Sequence, residues 1–166
     1  MLKNYMGEEK YLKIKNSSNV FYKALEIVSI LFENDKDKGG WPYILHLISV
    51  YKKVSEENEK IIALLHDVIE DKNVSEQDLL DIGFSKEIVE SVKLISKSQE
   101  ISYEEYIHNL IINGSKHILR VKMADLENNM DISRISNAAE KDYERIEKKY
   151  KPAYLRIKNR LEEMER

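Results

Sequence analysis

One imidazole and three carboxylates fall within the six residues His66-Asp67-Val68-Ile69-Glu70-Asp71, directly behind the apolar residues Ile61, Ile62, Leu64 and Leu65. A solvated loop rarely needs that combination, whereas adjacent His and Asp with Glu and Asp a helical turn later is a grammar of metal sites. Four helical positions turn through about 400°, so Glu70 is expected above His66 and Asp71 above Asp67. Two more candidates stand in readable contexts: His46 in Trp-Pro-Tyr-Ile-Leu-His, and Asp125 in Lys-Met-Ala-Asp-Leu-Glu-Asn-Asn-Met.

Imidazole with carboxylate suits Mn²⁺, Fe²⁺, Co²⁺ or Zn²⁺ better than the all-oxygen sites of Ca²⁺ or Mg²⁺, and the order of intrinsic affinities does not choose among them. One such ion can bind and acidify a water, polarise a phosphoryl oxygen, or do both. Glu70 or Asp71 can then orient the water or manage protons. A hydrolase built around one divalent cation is the leading reading.

The 166 residues contain no cysteine, which removes disulfides, thiolate ligands and cysteine nucleophiles. Any metal must be held by nitrogen and oxygen. Lys and Arg number 27 against 30 Asp and Glu, a net charge of -3 that gives no overall attraction to nucleic acid or to an anionic membrane. The ten tyrosines lack the β-rich platform on which single-stranded nucleic acid stacks. No run approaches the roughly 18 apolar residues of a membrane span, so the expectation is a soluble cytoplasmic protein with no nucleic-acid or membrane partner.

These ligands must be positioned by helices. Apolar residues recur at spacings of three and four nearly throughout, with two prolines and five glycines, which predicts an all-α fold. Helices are expected over about residues 17 to 33, with Phe21, Leu25, Val28 and Leu31 on one face, from Pro42 to about 50, and from about 56 to 69 with Ser55 as N-cap. Ser75 with Asp78 begins a short helix ended by Gly83, and Ser85 begins another to about 94. Ser102 with Glu105 forms a capping box for a helix to about 112, ended at Asn113-Gly114. Residues 115 to 129 resume helical spacing and carry Asp125. The charge-rich segment from about 137 to 166 is expected as a helical extension, bent or split at Pro152, whose charges form a wet face or a homo-oligomer contact. Length and composition predict one domain, residues 1–166.

Taken in order, Lys38-Gly39-Gly40-Trp41-Pro42-Tyr43-Ile44-Leu45-His46, Ala63-Leu64-Leu65-His66-Asp67-Val68-Ile69-Glu70-Asp71, Gly83-Phe84, and Lys122-Met123-Ala124-Asp125 with Asn129-Met130 resemble the HD superfamily of metal-dependent phosphohydrolases. The nearer likeness is to the hydrolase domain of the Rel/Spo alarmone enzymes and their small stand-alone relatives, over most of residues 21 to 135. The resemblance implies an HD-domain helical bundle with His46, His66, Asp67 and Asp125 as metal ligands and Glu70 and Asp71 as the catalytic acidic pair. It also implies substrate contacts by Lys38 and Asn129. The reaction it implies is Mn²⁺-dependent removal of the 3′-pyrophosphate from guanosine tetra- or pentaphosphate, a small phosphorylated nucleotide.

Three positions depart from the family pattern: Asp37 stands where an Arg faces guanine, Leu126 replaces the Arg after the last metal Asp, and Ile132 replaces a Thr near the nucleotide. These alter the guanosine pocket and keep two alternatives in view, another HD nucleotide phosphohydrolase such as a nucleoside monophosphate phosphatase, and a non-catalytic nucleotide sensor. Lys36, Lys38, Lys122 and Arg134 are the candidates for neutralising phosphate charge. His108 has no partner carboxylate in a recognisable motif and is read as a packing or surface residue.

Overall fold

A computed structural model describes residues 2–166. The helices are α1 Leu2–Met6, α2 Glu8–Asn16, α3 Val20–Leu31, α4 Ile44–Lys52, α5 Glu57–Leu65, α6 Val68–Lys72, α7 Glu76–Ile82, α8 Lys86–Ile95, α9 Tyr103–Asn113 and α10 Lys116–Met130. A 3₁₀ turn at Ile132–Arg134 follows, then α11 Glu140–Arg145, a widened turn at Ile146–Tyr150, and α12 Lys151–Glu165. Among the described residues there is no β-strand; an isolated backbone bridge between Lys36 and Pro42 closes the loop ahead of α4. The fold is an all-α helical bundle, as the periodicity predicts, and none of its helices is long and apolar enough to cross a membrane.

The bundle is organised around α5. Ile61, Ile62, Ala63, Leu64 and Leu65 are all buried, so the second half of this helix is apolar on every side and must be surrounded. It packs against α3, α4, α8 and α10, and α10 packs in turn against α4 and α12. Three of these neighbours end or pass beside the last turn of α5, which brings residues distant in sequence to His66.

Several element ends differ from expectation. Asn19 caps α3, its Oδ1 accepting the Tyr22 N–H at 2.9 Å. Phe21 is 37% exposed, its ring tilted at 43° to Tyr51 with centroids 5.4 Å apart, instead of joining Val28 and Leu31 in the core. α1 and α2, unforeseen from the sequence, bury Leu2 and Ile14. At Gly83, φ is +100°, and a Cβ there would lie 2.7 Å from the Lys23 ammonium that donates to Ile82 O at 2.9 Å; the glycine ends α7 and admits the lysine.

The cap of α5 is Glu56, not Ser55. Glu59 turns back to accept the Ser55 N–H at 3.2 Å and the Glu56 N–H at 3.1 Å with one oxygen. Its other oxygen meets His117 at 3.0 Å and Arg120 at 3.1 Å. Burial alone would raise the Glu59 carboxyl, but His117, the Glu56 N–H, Arg120 and the Ser55 N–H together hold it below its ordinary value. Stability from this group is therefore complete above the ordinary carboxyl pKa and is lost as pH falls through the depressed folded value. His117 and Arg120 are each more than a third exposed and can return to water, so Glu59→Gln is expected to cost about 1–3 kcal/mol at neutral pH and to flatten the acid limb of stability. Urea unfolding at about pH 7 and about pH 4 checks both effects.

The expected helix 56 to 69 is broken at its most informative point. His66 Nδ1 lies 2.8 Å from Ala63 O, so the side chain competes for a carbonyl at the helix end, and Ser96 Oγ donates to His66 O at 3.2 Å. The chain turns at Asp67, where φ is -102° and ψ is -3°, before α6 begins at Val68. Glu70 and Asp71 thus sit on a separate short helix, which left-handed Asn73 (φ 53°) terminates.

Pro152 lies in the first turn of α12, just after the widened turn, where the missing N–H and the ring's demand on the preceding turn are both accommodated. The extension is not a wet face throughout: Ala153, Ile157 and Leu161 are buried, and α12 packs on α10.

Candidate metal centre

His46 comes from α4, His66 and Asp67 from the turn between α5 and α6, and Asp125 from α10. The Nε2 atoms of His46 and His66 are 3.3 Å apart. Asp125 Oδ1 lies 3.3 Å from His46 Nε2 and 3.6 Å from His66 Nε2. Asp67 Oδ2 lies 3.1 Å from His66 Nε2 and 3.6 Å from His46 Nε2. His46, His66 and Asp125 are buried and form a group whose donor atoms all fall within 4.8 Å of one another.

Those separations suit a shared cation. Bonds of about 2.0–2.2 Å to a tetrahedral or octahedral ion place neighbouring donors about 2.8–3.6 Å apart. The second nitrogens agree: His66 Nδ1 faces the Ala63 carbonyl, which only accepts, and His46 Nδ1 is 2.6 Å from Asn128 Oδ1. With both protons at Nδ1, both Nε2 atoms present lone pairs to the same point. Two lone pairs and two carboxylate oxygens this close favour a positive charge among them.

The electrostatics run the same way. Burial opposes protonation of His66, but Asp67 and Asp125 override it and hold the imidazole well above its ordinary value. Burial would raise Asp125, yet Lys122, His46 and His66 keep it well below the usual carboxylate range. Asp67 is likewise held down, against its own burial, by His66 and His46.

Around this cluster three polar side chains are fixed by hydrogen bonds. Tyr43 Oη donates to Asp67 Oδ2 at 2.6 Å. Lys122 Nζ donates to Asp125 Oδ2 at 2.8 Å and stands 5.2 Å from the centre of the Tyr106 ring. Asn129 Nδ2 donates to Asp125 Oδ1 at 2.6 Å, so this residue touches the candidate ligand as well as bordering the cleft.

Two clefts meet at the cluster, sharing Tyr43, His46, Asn129 and Tyr150. The smaller, about 170 Å³, contains Asp67 and Asp125 and is bordered by Glu70, Asp71, Lys97 and Lys149. Glu70 Oε2 accepts the Lys97 backbone N–H at 2.8 Å, which fixes its direction. Partial burial, then the charges of Asp67 and Glu70, pushes the Asp71 carboxyl up to about 6. The Tyr103 hydroxyl faces this cleft buried and without a hydrogen-bond partner. The larger cleft, about 370 Å³, is bordered by Lys36, Lys38, Ile132 and Arg145.

The candidate residues named from sequence are therefore gathered: His46, His66 and Asp125 around one point with Asp67 beside both imidazoles, Glu70 and Asp71 at the rim of the smaller cleft, and Lys38 at the larger. His108 is exposed on α9, away from them. Two of the candidate phosphate-neutralising cations are engaged elsewhere, because Lys122 pairs with Asp125 and Arg134 pairs with Asp37 at 2.5 Å. Leu126 is in the core, 1% exposed. Sequence reasoning missed Tyr43 and Asn128, although each lies three residues from a candidate ligand on the same helical face. It also missed Arg145, Lys149 and Tyr150, for which the local sequence carries no signal.

No known protein-family profile matches the chain. A guanosine-3′,5′-bis(diphosphate) 3′-pyrophosphohydrolase of Borreliella burgdorferi is 29% identical over 153 residues, 84% of this chain and 22% of that protein. The protein of the same description from Vibrio cholerae is 31% identical over 111 residues, 59% of this chain and 16% of the relative. The chain thus spans about a fifth of the length of these curated relatives. In fold it is similar to a solved structure described as a metazoan orthologue of SpoT that hydrolyses ppGpp, with a TM-score of 0.69, 21% identity, and coverage of 87% of this chain and 86% of the other.

Proposed function

We propose that the chain is a metal-dependent nucleotide pyrophosphohydrolase of the HD type, acting on guanosine 3′,5′-bis(diphosphate) or a related phosphorylated nucleotide. The observation that carries this reading is the meeting of two imidazole Nε2 atoms with carboxylate oxygens at 3.1–3.6 Å while both Nδ1 atoms face acceptors. The curated relatives supply the reaction class. The site is proposed to lie in one domain that includes the helical extension, since Lys149 and Tyr150 border the smaller cleft.

His46, His66, Asp67 and Asp125 would hold the cation, with Mn²⁺ as the first choice and Fe²⁺, Co²⁺ or Zn²⁺ also matching the donors. Bound there, it would supply Lewis-acid polarisation of a phosphoryl oxygen and acidification of a water. The chain's own residues do the rest. Glu70, anchored through Lys97, orients the water, and Asp71, with its carboxyl near 6, accepts and returns the proton. Asn129 fixes Asp125 and offers its remaining amide surface to the nucleotide, while Lys38 at the mouth of the larger cleft neutralises phosphate charge.

A second reading, another HD phosphohydrolase such as a nucleoside monophosphate phosphatase, is favoured by one observation. Asp37, where the family pattern places an Arg against guanine, is turned inward and bound to Arg134. Product-resolved turnover by the Mn²⁺-loaded protein on guanosine tetraphosphate, guanosine pentaphosphate and ordinary nucleotides separates the two. The proposal expects pyrophosphate from the bis(diphosphates); orthophosphate from monophosphates with no pyrophosphate would support the second reading, and no turnover at all would favour a nucleotide sensor.

A further inference from the structure

A continuous line of hydrogen bonds runs from the wall of the larger cleft into the cluster. Asp37 Oδ1 accepts the Gly39 N–H at 2.9 Å and the Trp41 N–H at 3.0 Å, while its Oδ2 accepts from Arg134 Nη2 at 2.5 Å. Arg134 Nη1 donates to Asn128 O at 2.9 Å and to Asn128 Oδ1. That same Oδ1 faces His46 Nδ1 at 2.6 Å. His46 and Asn128 are buried, and the Asp37 side chain is 7% exposed. The joint is tightly fitted, because a Cβ on Gly39 would fall 2.0 Å from Arg134 O.

The chemistry of the chain gives it a direction. A carboxylate only accepts and a guanidinium only donates, whereas an asparagine amide offers either an oxygen or an NH₂. Turned the other way, Asn128 would set its NH₂ against His46 Nδ1, drive the imidazole proton to Nε2, and close the nitrogen that faces the cluster. Arg134 forbids that orientation because two donors would collide, and Asp37 holds Arg134 in place. Resting on the reading of the cluster as a metal centre, we infer that Arg134 is a positioning residue. It locks Asn128 as an acceptor, thereby selects the His46 tautomer whose Nε2 is free, and ties cation affinity to the loop 36–41 that walls the larger cleft.

The test compares variants that keep or remove the acceptor. Asn128→Asp retains an oxygen for His46 and a stronger partner for Arg134, so Mn²⁺ affinity by calorimetry should stay within about 3-fold of wild type, whereas Asn128→Leu and Arg134→Gln should weaken it about 10–100-fold. Two-bond ¹⁵N–¹H imidazole spectra of metal-free protein should show His46 as the Nδ1–H tautomer in wild type and Asn128→Asp, and a mixture in Arg134→Gln. That signature does not move for a merely structural contact, and urea midpoints confirm that each variant is folded. Should Asn128→Leu fail to fold, Arg134→Gln carries the test by itself. Wild-type Mn²⁺ affinity and an unchanged His46 tautomer in folded Arg134→Gln would overturn the inference alone. Absence of Mn²⁺ binding by the wild type would overturn the metal reading and this inference with it.

Discussion

His66→Ala is expected to lose the cation and, with it, turnover by on the order of 10³-fold or more, equivalent to several kcal/mol of transition-state stabilisation. The size follows from position. His66 Nε2 is within 3.6 Å of all three other candidate donors, so its removal opens one whole side of the cluster. It also leaves Asp67 and Asp125 facing each other without the imidazole that tempers both. His108→Ala, on the exposed face of α9, is the matching control and should alter neither binding nor rate. Mn²⁺ calorimetry and turnover on the same preparations check the pair; an His66→Ala protein that binds one ion as tightly as wild type contradicts the account.

Glu70→Gln and Asp71→Asn should behave differently, keeping the cation while each loses about 10²–10⁴-fold in turnover. Neither carboxylate is among the four candidate ligands. Gln at position 70 still offers an oxygen to the Lys97 N–H, now 2.8 Å from Glu70, so direction is kept and only the charge is lost. Asp71 acts as a base when ionised, so turnover should rise with pH through its pKa, at about 6 or lower once a neighbouring dication pulls it down. Asp71→Asn should remove that acid limb. The stability sign is opposite to the Glu59 case. A carboxyl raised in the folded state binds more protons there than when unfolded, so stability falls as pH rises from the ordinary carboxyl value to about 6. Asp71→Asn is therefore expected to melt modestly higher than wild type at neutral pH in the metal-free state. Unchanged turnover in both variants with the ion still bound would remove them from the chemistry.

The part of this molecule that carries the candidate ligands is legible because its signals are local. His66 and Asp67 follow a helix that must be buried, and His46 and Asp125 sit in helices whose inner faces are spelled out by Leu47 and Val50, and by Val121 and Ala124. What the sequence hides is non-local or depends on competition between bonds. The break at His66 arises because a side chain reaches a backbone carbonyl and Ser96, thirty residues away, takes another. Glu59 displaces Ser55 as the organiser of α5 because one carboxylate serves two backbone N–H groups and two side chains from α10, His117 and Arg120. Lys149 and Tyr150 reach the smaller cleft through the widened turn before Pro152, and a charged amphipathic pattern looks the same whether it faces solvent or a cleft. Asp37 shows the same limit: its absence of positive charge is readable, its engagement by Arg134, 97 residues on, is not.

The most direct test of the central claim is anomalous diffraction at the manganese edge from crystals grown with Mn²⁺. One strong peak per chain is expected, bounded by His46 Nε2, His66 Nε2, Asp67 Oδ2 and Asp125 Oδ1, and absent in crystals of His66→Ala. A peak elsewhere with this cluster unchanged, or no peak at saturating Mn²⁺, would contradict it.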